Sequence, residues 1–245
     1  MIKMKKSVTL LSLILAAVSC SRNQDDSIGF ISLALESDES VAEVTKSNVS
    51  DYTTLPSADD FSLVISDASG SSIYSGALKD YSSSTAIKVG SYTAVASYGS
   101  SSDEGFGKPY FSGSSTFTVA QGTTTPVVIS VSLANCIVKL AYTSDFTAYY
   151  TDYSFTLTTG AGTEIQFPKS ETRAAFIDAY TFTLSGTLTS QGGKTRTFSV
   201  TRKGLEAKKC YTVKFDVSNV GNDSISIEFD DTVEDVQLDD VDLND

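Results

Sequence analysis

The 245-residue chain contains no histidine, no tryptophan, four prolines, three cysteines and two methionines. The absence of histidine excludes Ser/His/Asp and Cys/His nucleophilic machinery and the usual mixed-ligand zinc sites, because these depend on an imidazole near neutral pH. The absence of tryptophan weakens a carbohydrate-stacking function, although 12 tyrosines and 13 phenylalanines remain. We therefore expect a protein that is not an enzyme and has no catalytic residue, cofactor or metal.

Basic residues are also few, with 18 lysines and arginines against 30 acidic residues. Removing residues 1–19 takes away three lysines and no acids, which leaves a formal charge of −15. A surface of this charge repels nucleic acid and anionic lipid headgroups, so neither is expected as a ligand.

The N-terminus has the three parts of an export signal: a head with three lysines, an apolar run from Val8 to Val18, and small residues that lead to Cys20. The apolar run is too short to span a bilayer comfortably. The sequence Ala17-Val18-Ser19-Cys20 resembles the lipobox of bacterial lipoproteins, whose mature chain begins with an acylated cysteine. This resemblance implies a signal peptide over residues 1–19, lipid attachment at Cys20 and a linker over 20–27. An ordinary secreted protein is the alternative.

Apolar residues alternate along the chain with period two, which is typical of half-buried strands. The clearest sets are Phe61, Leu63 and Ile65; Val127, Ile129, Val131 and Leu133; Tyr180, Phe182 and Leu184; Tyr211, Val213, Phe215 and Val217; and Ile225, Ile227 and Phe229. Gly- and Ser-rich turn signals separate them. One stretch, Ser144 to Tyr150, favours a single helical turn. The pattern predicts an all-β protein.

The run from Pro126 to Leu140 is long for one strand, and Asn135 interrupts its alternation. We therefore place a boundary near Ala134 and expect two tandem Greek-key β-sandwich domains of the Ig-like kind, over residues 28–134 and 135–230. Each half has about 100 residues, which is enough for a seven-strand core.

The two halves share a short pattern, an aliphatic residue and a turn followed by Tyr-Thr and then a valine, at Ile87–Val95 and Leu205–Val213. In Greek-key sandwiches a tyrosine in such a position often fixes a corner by a hydrogen bond to nearby backbone. The pattern predicts this role for Tyr92 and Tyr211; chance is the alternative in a Tyr- and Thr-rich chain.

Two cysteines of the mature chain, Cys136 and Cys210, could form a disulfide outside the cytoplasm. Cys136 shares its parity with apolar neighbours, whereas Cys210 shares its parity with Thr212 and Lys214. The pattern favours two side chains that face differently, and a bridge is the alternative.

The acidic tail, residues 231–245, is the remaining unusual segment; residues 230–245 hold eight acids and no base. We expect a frayed, solvated terminus whose charges keep an edge strand from pairing with neighbours. The alternative is a strand that pairs with another subunit, and its apolar residues would be Val236, Leu238, Val241 and Leu243.

The lipobox, the stretch from Phe111 to Leu140 and the segment from Leu205 to Val213 together resemble the fimbrillin-like surface lipoproteins of Bacteroidetes. They resemble still more closely a related lipoprotein set known only as a domain of unknown function. The resemblance implies two β-sandwich domains of transthyretin-like topology and lipid-anchored display on the outer membrane. For true fimbrillins it also implies pilus assembly by strand exchange. Their basic cleavage site after the first strand has one counterpart here, Lys46, in the linker from Glu36 to Asp60.

Together these features predict a cell-surface lipoprotein that acts as a fimbrial or adhesin-like component. Its partners would be other subunits, a host protein or a glycan. Removal of the first strand, Ile28 to Leu35, could free a sheet edge for assembly. The alternative is a glycan-binding accessory lipoprotein of a polysaccharide-uptake system, which would present a planar row of Tyr or Phe on one exposed sheet face. An enzyme would need two carboxylates about 5 to 9 Å apart in a cleft, and no segment singles out such a pair.

Overall fold

The computed structural model describes residues 27–41, 47–219, 224–229, 232–237 and 239–240. Strands β1 to β10 are Ile28–Asp38, Ser40–Val41, Ser47–Asn48, Ser62–Asp67, Ser72–Ala77, Ile87–Lys88, Gly90–Tyr98, Gly105–Phe106, Phe111–Val119 and Thr124–Leu133. Strands β11 to β20 are Cys136–Tyr142, Tyr150–Thr159, Glu164–Pro168, Ala175–Ile177, Thr181–Ser190, Thr195–Lys203, Cys210–Asn219, Ser224–Phe229, Thr232–Gln237 and Asp239–Asp240. Helix α1 spans Ser144–Tyr149, and short 3-10 turns cover Val49–Asp51, Ala58–Asp60 and Leu78–Asp80.

Three large sheets carry the fold. The seven-stranded sheet has the order β5-β4-β7-β9-β10-β1-β6, the six-stranded sheet β19-β18-β17-β11-β14-β8, and the five-stranded sheet β13-β12-β15-β16-β20. In the part of the chain that the structure describes, neighbouring strands are antiparallel except for two parallel pairs, β1 with β10 and β11 with β17. The protein is therefore all-β and built of tandem sandwiches, as the alternation of apolar residues predicts.

Two hydrophobic cores fill the molecule. The first core lies on the inner face of the seven-stranded sheet, where the predicted alternating residues of β4 and β10 are buried. The second core lies between the six- and five-stranded sheets and is rich in aromatic rings. Phe155 and Phe215 face each other there with ring centroids 4.6 Å apart, an offset-stacking distance that adds to the stability from burial alone.

The six-stranded sheet serves both cores where β11, β14 and β17 lie side by side. Ile137 is paired with Phe176 and with Cys210, and all three side chains belong to the first core. Their chain neighbours Val138 and Ala175 belong to the second core, because successive residues of a strand point to opposite faces. The two cores therefore share one patch of sheet.

Asn135 occupies the point where the chain leaves the seven-stranded sheet and enters the six-stranded one. Its side chain is buried, accepts a hydrogen bond from the Tyr110 amide at 3.3 Å and donates one to the Lys108 carbonyl at 3.0 Å. Its own carbonyl accepts from the Lys208 amide at 3.0 Å. Asn135 can interrupt the apolar alternation inside the protein because its side-chain oxygen, its side-chain nitrogen and its carbonyl each have a hydrogen-bond partner. The domain boundary near Ala134 stays a prediction.

Both predicted tyrosine corners are confirmed. The Tyr92 hydroxyl donates to the Lys88 carbonyl at 2.8 Å, and the Tyr211 hydroxyl accepts from the Glu206 amide at 2.8 Å. The helical turn is also confirmed as α1, and its N-cap is Thr143, whose hydroxyl accepts from the Phe146 amide at 3.1 Å.

Two expectations about local structure are wrong. Tyr180 does not share the burial of Phe182 and Leu184 but is 69% exposed, because β15 begins only at Thr181. The stretch expected as a linker after Leu35 is largely structured, since β1 continues to Asp38 and a small hairpin follows it. Val41 and Val49 of that stretch are buried in the first core.

The described part of the acidic tail, residues 232–237 and 239–240, is neither frayed nor free to pair with another subunit as the sequence suggested. The backbone of β19 pairs with β18 over six residues, and Asp239–Asp240 pairs with β16 of the five-stranded sheet. The tail thus extends sheets of its own chain, and passes from one sheet to another after Gln237. Leu238, Val241 and Leu243 lie outside the described residues.

Candidate functional site

The two site residues expected from the sequence, Cys20 for lipid attachment and Lys46 for cleavage, lie outside the described residues. The strands on either side of segment 42–46 are paired, Ser40 with Asn48 and Val41 with Ser47. The described strands β2 and β3 thus form a hairpin directly after β1.

Strand β1 is held mainly from one side. Along one edge it is paired in parallel with β10, from Phe30 opposite Thr124 to Asp38 opposite Ser132. Along the other edge only Ile28 and Gly29 are paired, with β6. The outer edge from Phe30 to Asp38 therefore has no strand beside it among the described residues, and such an edge can pair with another chain.

The inward side chains of β1 become less buried along the strand. Ile31 is fully buried, whereas Leu33 and Leu35 are partly buried and line a surface groove of about 460 Å³. The far wall of this groove comes from the 3-10 turns Ala58–Asp60 and Leu78–Asp80, through Ala58 and Leu78. The C-terminal part of β1 thus contributes less to the core than its beginning does.

The end of β1 is tied to the second half of the chain by an ion pair. The Lys208 ammonium donates to one oxygen of Asp38, whose other oxygen accepts from the Ser40 amide at 3.0 Å and the Ser40 hydroxyl at 2.7 Å. These bonds lower the pKa of Asp38 from 3.8 to about 2. Lys208 adopts φ +63, the left-handed region that side chains avoid. Sequence patterns miss this pair, because its partners lie 170 residues apart.

Every carboxyl group with a resolved shift in the described residues has a lowered pKa. Hydrogen bonds from Lys208, Ser57, Ser69 and Arg173 cause the shifts of Asp38, Asp60, Asp67 and Glu171, respectively. A general acid needs the opposite shift, which burial or a neighbouring negative charge would produce. The described carboxylates with resolved shifts thus stabilise turns and ion pairs.

Cys136 and Cys210 are both buried and are not joined by a disulfide. Cys136 belongs to the second core and Cys210 to the first, so their side chains lie on opposite faces of the six-stranded sheet. The parity of the sequence correctly predicts this arrangement. Burial raises the pKa of Cys136 to about 12, so its thiol is inert near neutral pH.

The aromatic row expected for a glycan-binding sheet face is not formed by the described residues, where Tyr180 is the one aromatic side chain in the exposed class. Within the same part of the chain, no group of three or more Cys, Asp or Glu side chains is placed to hold a metal ion. No helix of the described residues is both long and apolar enough to cross a bilayer.

The fold and the first strand define a class: an all-β protein of tandem sandwiches whose first strand is paired mainly along one side. The model of a domain of unknown function, DUF4493, matches residues 27–244, so the chain belongs to that family. No curated protein is similar enough in sequence to match.

Several solved structures from Bacteroidetes are similar in shape at low identity. A fimbrial assembly protein from Parabacteroides distasonis is 11% identical, with a TM-score of 0.44 over 87% of this chain and 99% of that one. The fimbrial anchor protein Mfa2 from Porphyromonas gingivalis is 10% identical, with a TM-score of 0.44 over 84% and 98%. A candidate polysaccharide binding protein (DUF1812) from Bacteroides thetaiotaomicron is 11% identical, with a TM-score of 0.46 over 85% and 98%.

Proposed function

We propose that this chain is a non-enzymatic lipoprotein of the bacterial cell surface that acts as a fimbrial or adhesin-like component. The observation that carries the proposal is the attachment of β1, which is paired with β10 over nine residues on one side and with β6 over two on the other. The support for this function comes from the geometry of this chain and not from the names of the solved proteins to which it is similar.

Withdrawal of β1 would leave a site that another strand can fill. The backbone groups of β10 from Thr124 to Ser132 would lose their partners, and the space now filled by Ile31 would open to solvent. A strand from a second subunit could restore both the hydrogen bonds and the apolar contacts. The partner is therefore another copy of this chain or another fimbrial subunit.

Cleavage at Lys46 is the step that would release β1. After this cut, the fragment that carries β1 is held by hydrogen bonds, side-chain contacts and the Asp38–Lys208 ion pair alone. An exposed ion pair of this kind contributes about 0.5 kcal/mol, so it slows release without preventing exchange. Before cleavage, the hairpin of β2 and β3 keeps the strand on its own chain.

Anchoring at the surface is the second part of the proposal and depends on Cys20. The resemblance of Ala17-Val18-Ser19-Cys20 to a lipobox supports acylation of this residue, which precedes the first described strand in the chain. The outer face of the outer membrane is the proposed location, and a host protein or glycan met there is the proposed adhesion partner. No catalytic residue, cofactor or metal is part of this function.

Limited trypsin digestion of the full chain tests the assembly step. The first cut is expected after Lys46, and the cut protein should form ladders on a gel run without boiling, while intact protein stays monomeric. The variant Lys46→Ala is the control and should remain uncut at this position and monomeric. Cut protein that remains a monomer would refute strand exchange.

A further inference from the structure

In chain order, the first and the last strand of the seven-stranded sheet are β1 and β10, and these two strands are neighbours that run in the same direction. They are paired over nine residues. At the start of the pair, the Ile28 carbonyl accepts from the Gly122 amide at 2.9 Å. The chain therefore enters this sheet at one end of the pair and leaves it, after Leu133, at the opposite end.

This arrangement determines how the pair responds to tension. A pull on the N-terminal end of β1 against the C-terminal end of β10 acts along the strands, so β1 would have to slide past β10. Because the hydrogen bonds of a parallel ladder are evenly spaced, they share such a pull and have to break together. A pull that separates the two N-terminal ends acts across the strands instead, and it breaks the bonds one after another.

The side chains of β1 add to the resistance against sliding. Successive residues of a strand point to opposite faces, so a slip of one residue, about 3.3 Å, would turn Ile31, Leu33 and Leu35 away from the first core. Ile31 is fully buried, and Leu33 and Leu35 are partly buried and packed against that core. Sliding would therefore expose apolar surface in the same step that breaks the ladder.

The second half of the chain repeats this arrangement. Its first strand, β11, is paired in parallel with β17 over six residues. Only Ala134 and Asn135 lie between β10 and β11, and Asn135 is hydrogen-bonded there to three backbone groups. Tension at the end of β10 therefore passes directly into the second parallel pair.

We propose that the β1–β10 pair is a mechanical clamp, which keeps the first half of the chain folded when tension acts between the N-terminal end of β1 and the C-terminal end of β10. The direction of this tension rests on the proposed anchorage at Cys20, since the membrane then holds the N-terminal side and a partner bound to the second half pulls on β10. A strand cut after Lys46 can still leave by peeling from its C-terminal end, where the bonds break in succession.

Single-molecule stretching of the chain from Cys20 onward, made without acylation, tests the clamp in two directions. One tether is attached to Cys20 and the other to an introduced cysteine. Ser130→Cys, near the C-terminal end of β10, directs the pull along the strands. Gln121→Cys, in the turn before β10, is the matched control and directs the pull across them. Both replaced residues are exposed, and Cys136 and Cys210 are buried.

The clamp predicts that Ser130→Cys unfolds at a force several-fold higher than Gln121→Cys at the same pulling rate, because the hydrogen bonds share the pull in the first case alone. The two variants should have the same melting temperature, since they differ in the direction of the pull and not in the fold. Equal forces, or a higher force for Gln121→Cys, would overturn the clamp. Such a result would leave strand exchange and anchorage untouched, because cleavage after Lys46 and Cys20→Ala test those separately.

Discussion

At the scale of single residues, the structure concentrates its unusual features where the two halves of the chain meet. Lys208 combines a left-handed backbone with two bonds across the junction, from its amide to Asn135 and from its ammonium to Asp38. The left-handed backbone lowers the free energy of unfolding by about 1 kcal/mol, while an exposed ion pair raises it by about 0.5 kcal/mol. The ion pair of Lys208 therefore offsets only part of the strain in its backbone.

This balance predicts different outcomes for two substitutions of Lys208. Lys208→Ala should lower the free energy of unfolding by about 0.5 kcal/mol, because it removes the ion pair and keeps the strain. Lys208→Gly should be about 1 kcal/mol more stable than Lys208→Ala, because glycine adopts positive φ without strain. Urea denaturation near pH 7 measures both, and equal stabilities would contradict the strain at this position.

The ion pair also predicts a dependence on pH. The pKa of Asp38 is lowered to about 2 from 3.8 in the folded state, so its stabilising effect is complete above pH 4 and disappears as the pH falls towards 2. The difference between the unaltered chain and Lys208→Ala should shrink over that range. A difference that stays constant from pH 5 to pH 2 would show that Asp38 is not the partner.

At the scale of elements, close packing rather than propensity determines several positions. Gly186 of β15 lies between the rings of Phe155 and Phe198, where an added Cβ would collide with both. Gly192, in the hairpin that follows β15, has only the Ser190 hydroxyl within 4 Å of such a Cβ, at 3.8 Å. The same chemical change should therefore have opposite consequences at the two glycines.

Gly186→Ala is expected to lower the free energy of unfolding by about 1 to 3 kcal/mol through overpacking of the second core. Gly192→Ala is the matched control and should be neutral or stabilising by a few tenths of a kcal/mol. Chemical denaturation of both variants gives the comparison. A Gly186→Ala protein as stable as the control would mean that the two phenylalanines can move apart at no cost.

The sequence predicts those elements that depend on a pattern among residues close together in the chain. The alternation in β4, β10 and β18 and the two tyrosine corners depend on neighbours in the chain, so they can be predicted without knowledge of the fold. Tyr180 follows the same alternation, but β15 begins one residue later and leaves it in solvent. The shared patch formed by Ile137, Phe176 and Cys210 depends on pairing between distant strands, which no local pattern records.

The candidate site, too, can be predicted only in part from the sequence. The first strand and its position before a basic residue can be found from the sequence, whereas its one-sided attachment depends on the parallel pairing with β10.

At the scale of the whole molecule, we propose a chain that is held at a membrane by its N-terminus and that can exchange its first strand. Cys20→Ala is expected to move the protein to the soluble fraction and to abolish acyl labelling, because the apolar run before it is too short to span a bilayer. Fractionation of cells that express both forms measures this. A variant that stays membrane-bound and labelled would exclude the lipid anchor.

The central claim is that assembly requires β1 to leave β10. Ala34 and Val128 are paired across these strands and both are exposed. Their α-carbons should lie about 4.8 Å apart, a distance that a disulfide can span. The double variant Ala34→Cys/Val128→Cys, made in a Cys20→Ala chain, therefore locks β1 in place when oxidised and frees it when reduced.

Size-exclusion chromatography of this variant, cut after Lys46, is the most direct measurement. The account predicts a monomer under oxidising conditions and oligomers after reduction of the same sample, with the Cys20→Ala parent forming oligomers in both. A cut and reduced protein that remains monomeric, or a locked protein that assembles as well as the reduced one, would contradict strand exchange through β1.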